Sequence, residues 1–163
     1  MHLYSTALTY ALHASERGAA WVARAGDFGG RAEAEFSRGT AGRGMDAEDV
    51  LQIIEGLGHV VSALPPEQAD PVLSAMLCPI APPLLQMFPE EVVTAPPDTE
   101  VVVLYFDRLA TVLRYVAHPE LVAAVFRELW PVVVRGLERC GDKDERAAEH
   151  ICRCIKYALR TAR

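Results

Sequence analysis

The side chains able to bind or react are spread thinly along this chain. Histidines stand at positions 2, 13, 59, 118 and 150, and cysteines at 78, 140, 152 and 154. No histidine has another four residues away, and none lies beside a serine and a carboxylate in a triad-like arrangement. Nucleophilic catalysis and zinc binding therefore lack their constellations. Cys152 and Cys154 are two apart, and on a helix such positions point about 200° from each other. They cannot share a metal, and packing is the better reading. His59 reads as a partly buried polar residue of its helix. No enzyme activity, catalytic residue, metal or cofactor is expected.

The charged residues say more. On a helical projection Arg146, Arg153, Lys156, Arg160 and Arg163 fall within an arc of about 100°, with Ile151, Ile155, Ala158 and Ala148 opposite. Such a stripe can grip phosphates or acidic segments. Glu145 and Glu149 share the face, and Glu149 can pair with Arg153 at i,i+4, so a solvated face is the competing reading. Residues 46–118 hold 11 acidic and 2 basic side chains, whereas residues 119–163 hold 7 and 9. The acidic block either docks a basic partner or keeps an apolar array soluble. A net charge of −6 and a pI near 5.3 argue against direct nucleic-acid binding.

Helices must position these residues. Residues 99–163 read as three consecutive amphipathic helices separated by short breaks, each with an apolar face too wide for one neighbour to cover. That pattern predicts a stacked helical array. Upstream, Asp46, Glu48 and Asp49 open a helix that carries Val50, Ile53, Ile54, Leu57, Val60, Val61 and Leu64 at helical spacing and ends at Pro65-Pro66. The next helix, to about residue 88, must break near residues 78–83, where Pro79, Pro82 and Pro83 fall. Pro131 inside the later helix predicts a bend that packs Trp130 between that helix and a neighbour. Gly141 is its expected C-terminal cap, and Asp142 or Asp144 caps the last helix. No strand pattern survives.

The expected fold is all-α, an α-solenoid fragment of HEAT/ARM-like antiparallel helix pairs. Residues 1–24 form an N-terminal helical segment and residues 25–45 a flexible Gly-rich loop, with six glycines in 25–44. Residues 46–163 form the repeats, as pairs at 46–88 and 99–140 and a half-repeat at 143–163. A hydrophobic content of 51% is enough for a real core. No apolar run reaches the roughly 20 residues of a membrane span. The cysteines match no disulfide framework, which points to a soluble protein in a reducing compartment. An array exposing apolar faces at both ends should be marginally stable or self-associating.

Three local patterns carry a family resemblance. They are Phe-Asp-Arg-Leu-Ala at 106–110, Glu-Leu-Trp-Pro-Val at 128–132, and Cys-Arg-Cys-Ile-Lys-Tyr-Ala-Leu-Arg at 152–160. In this order they resemble the middle of the transportin-SR and importin-13 type of nuclear transport receptor, in the importin-beta superfamily. Residues 46–68 are similar more loosely, to the preceding repeat, and residues 9–45 have no counterpart. The resemblance implies nuclear import of cargo proteins, Ser-Arg-rich or phosphorylated, and a location in nucleus and cytoplasm. It implies Ran GTPase as a partner through regions absent from this chain. The family's basic cargo-binding helix is not matched to these residues. A HEAT-type structural scaffold without a transport role is the alternative.

Overall fold

A computed structural model describes residues 46–90 and 97–163 of the chain. The helix expected over 1–24 and the loop expected over 25–45 lie outside the described residues, as do positions 91–96. Six helices make up the described part: α1 (Ala47–Ser62), α2 (Pro66–Leu77), α3 (Ala81–Met87), α4 (Thr99–Tyr115), α5 (Pro119–Cys140) and α6 (Glu145–Thr161). There is no strand among the described residues.

Local chemistry accounts for most boundaries. Asp46, Asp98 and Asp144 cap α1, α4 and α6, each carboxylate accepting from a backbone amide of the first turn, such as Asp49 N at 2.8 Å. Of the two candidates at the last helix, Asp144 is the cap. Pro66 and Pro119 occupy the first turns of α2 and α5, where a missing amide hydrogen costs nothing. Residues 78–80 form the expected break, and Pro82-Pro83 restart the chain as α3. Gly141 caps α5 as expected, yet its φ of −54° is ordinary right-handed backbone. What it supplies is room: a Cβ there would stand 2.4 Å from the Leu137 carbonyl oxygen.

Tertiary contacts arrange these helices in two layers. α4 packs between α1 and α6, while α3 packs on α4 and α5, and α5 packs on α6. The ends fix direction. Ser62, closing α1, meets the Tyr115 carbonyl at the end of α4, and Thr161, closing α6, donates to Leu113 O at 2.9 Å. At the other end Thr99 of α4 donates to Asp144 of α6. α1, α4 and α6 thus run parallel as one layer, with α2, α3 and α5 returning in the other. This is the α-solenoid arrangement. Phe88, Phe106, Leu109, Leu113, Leu129 and Ile151 are fully buried between the layers.

Two expectations fail, the packing of Trp130 between two helices and the partial burial of His59. Trp130 is 44% exposed and meets the ring of Phe126 edge-on, centroids 5.6 Å apart, one turn back on the same helix. Leu129, Val132 and Val133 hold the buried face of α5 and leave the indole to the flank. α5 is one uninterrupted helix through Pro131. His59 is exposed rather than partly buried, and it meets the edge of Tyr115 at 5.2 Å.

Candidate partner-binding face

α6 is anchored before any of its charges can act. The Thr99 hydroxyl and then the Ala147 amide hold the Asp144 carboxyl below its ordinary pKa of 3.8. The buried face consists of Ala147, Ile151, Cys154 and Ala158. Ala148 and Ile155, expected there, are only half-buried. The Cys154 thiol donates to Phe106 O at 3.1 Å, and burial pushes its pKa far up. Cys152 is exposed on the other side, so the pair does point apart. Gly136 of α5 lets Ile151 and Phe106 approach: a Cβ there would stand 3.2 and 3.4 Å from them.

The four cations singled out on this helix divide three to one. Arg153 donates to Asp107 of α4 at 3.2 Å and to Glu149 at 2.8 Å. The same Asp107 oxygen lies 2.5 Å from His150 Nδ1. Arg153 therefore ties α6 to α4, and its charge is largely answered. Arg146, Lys156 and Arg160 are exposed, and no ion pair of theirs occurs among the described residues. They are the cations that a partner's anions can reach.

A feature spanning three helices adjoins them. Arg114 of α4 lies over the Tyr115 ring at 4.9 Å and over Tyr157 of α6 at 5.5 Å. Lys156 lies 5.8 Å from the Tyr157 centroid, and His59 of α1 abuts Tyr115. The row His59, Tyr115, Arg114, Tyr157, Lys156 crosses the layer where α1, α4 and α6 end. Burial first, and the bond to Glu55 second, raise the pKa of Tyr115. Arg114 and Tyr157 lie 43 residues apart, so sequence spacing gave no sign of their contact. Each cation–ring contact at such an exposed site contributes about 0.5–1 kcal/mol.

Among the described residues no group of three or more His, Cys, Asp and Glu could hold a metal, and no helix is long and apolar enough to cross a membrane. A scan of known protein families gives no match, and no solved structure matches the chain. The chain is 36% identical over 124 residues to Transportin MOS14 of Arabidopsis thaliana, an alignment that covers 76% of this chain and 13% of that protein. The segment therefore spans a small part of the length of its relative. Carried by three quarters of a chain whose described helices stack in two layers, this likeness to a transportin of the importin-beta superfamily supports the nuclear transport receptor family.

Proposed function

We propose that this chain is a cargo-binding segment of a nuclear import receptor of the transportin-SR and importin-13 type. In this reading the receptor shuttles between nucleus and cytoplasm, and Ran GTPase engages it outside these residues. The cargo is Ser-Arg-rich and phosphorylated. Support comes from the exposed, unpaired Arg146, Lys156 and Arg160 on one face of α6, with Arg114 on the neighbouring α4. A phosphoserine brings about −1.5 to −2 charges and three acceptor oxygens, and a guanidinium meets these in a bidentate geometry. Exposed charges are screened over about 8 Å at physiological ionic strength, so the binding should weaken steeply with salt.

The test titrates the chain with a fluorescent Ser-Arg peptide, phosphorylated and unphosphorylated. Preference for the phosphorylated form, abolished by R146E/K156E/R160E with unchanged helicity, is the expected result. Equal affinity of wild type and triple variant would leave the stripe as a solvated face. Pull-down of the full-length gene product with GTP-loaded Ran and Ser-Arg-rich proteins tests the receptor assignment. Retention of neither would favour a scaffold without a transport role.

A further inference from the structure

A second recognition surface lies between α1 and α2, away from the free cations of α6. Here Ile53 and Leu57 of α1 and Val72 and Met76 of α2 line a groove of about 460 Å³. Among its described lining residues only Arg108, reaching in from α4, is charged. The Arg108 Nε is buried and has no hydrogen-bond acceptor. Its guanidinium rests 5.4 Å from the Tyr105 ring centroid, and no carboxylate pairs with it among the described residues. Ile53, Leu57 and Val60, spaced i, i+4 and i+7, are 47%, 42% and 56% exposed.

We infer that this groove seats an amphipathic helix of a partner protein, which lays its apolar ridge on Ile53 and Leu57 and sets one Asp or Glu against Arg108. The shape and the charge each narrow the occupant. A trough between two helices with an apolar row at helical spacing fits a helix in a groove, and no sheet edge offers strand pairing among the described residues. A wholly apolar occupant would strip water from the guanidinium and return nothing. A basic one would be repelled. A carboxylate gives the guanidinium a charge-assisted partner in place of the water it loses. The chain around Arg108 is acidic, with Arg114 the only other Lys or Arg in residues 46–118. The groove's preference for an acidic helix is therefore local and rests on this one side chain.

The probe is a labelled synthetic helix of about four turns, with leucines at i, i+4 and i+7 and one Glu on the same face, together with its Glu→Gln and Glu→Lys forms. Fluorescence anisotropy with the full chain should show the Glu form binding about tenfold or more tightly than the Lys form. Arg108→Glu should invert that order. Arg108→Gln, closer in shape, should level it, with circular dichroism confirming retained helicity. Leu57→Ser should weaken all three peptides together. Absence of saturable binding by any peptide, or a ranking that Arg108 substitutions leave unchanged, overturns the inference. So does sedimentation showing a dimer that Leu57→Ser dissolves, because the occupant would then be a second copy of this chain.

Discussion

Arg153 carries two hydrogen bonds that Arg146, Lys156 and Arg160 lack, and that difference separates structure from recognition on a single helix face. Reversing it to Glu would set a third carboxylate beside Asp107 and Glu149. We expect R153E to lower the melting temperature, whereas R146E/K156E/R160E leaves it nearly unchanged. The second residue-scale expectation concerns acid. Asp144 has a folded pKa depressed by Thr99 and the Ala147 amide. A depressed carboxylate contributes stability that is fully present above its unfolded value of 3.8 and is lost as pH falls through the folded value. The unfolding temperature of the native chain should therefore fall below about pH 4. D144N keeps the capping bond to Ala147 and should show a shallower decline over the same range. Parallel curves would remove Asp144 from the acid response.

At the scale of elements, α1 and α4 touch closely because Gly58 has no side chain. A Cβ at Gly58 would stand 2.8 Å from the Tyr115 Cβ and 3.3 Å from its backbone carbon. Neither atom is the end of a flexible chain, so the helices must separate. Gly58→Ala should destabilise by about 1–2 kcal/mol, because an overpacking cost of about 1–3 kcal/mol exceeds the helix-propensity gain of up to about 1 kcal/mol. Gly56, two residues earlier, has nothing within 4 Å of its added Cβ. Gly56→Ala should stabilise by about 0.5–1 kcal/mol. Urea unfolding of the two variants checks the opposite signs. The seam near Gly58 is also stitched by Ser62, which accepts from Ala117 N at 2.7 Å and shares its one proton between the Gly58 and Tyr115 carbonyls. Arg135 and Arg139 play a similar part in the other layer, donating to the carbonyls of Phe88 and Met87 at the end of α3.

Across the whole molecule, stability in such a stack comes from nearest neighbours. α4 is covered on two sides and from beneath, while α1 shows Ile53, Leu57 and Val60 to solvent. Local opening should therefore begin at α1 and α2 and reach α4 last. Hydrogen exchange read by mass spectrometry should find the slowest amides in residues 102–113 and faster ones in 50–61. The reverse order, or uniform protection throughout, would mean that the chain opens as one closed globule.

Much of this protein was legible along the chain, because caps, prolines and apolar spacing act within one or two turns. Asp46, Asp98 and Asp144 start their helices by bonds to amides two or three residues away, and Pro82-Pro83 break α2 from α3 by lacking amide hydrogens. The helical class and the stripe Arg146, Arg153, Lys156, Arg160 followed from that local physics. Which side of a helix is buried did not, since apolar faces wider than their neighbours leave a choice. Trp130 and His59 sit beside residues that took the inner positions, and the tertiary packing left both outside. Likewise, only the docking of α6 on α4 brought Arg153 to Asp107 across 46 residues of sequence. The same packing left Arg108 facing an apolar groove without an acceptor. An ion pair or an orphaned donor is a property of two surfaces, and no single segment of the chain contains both.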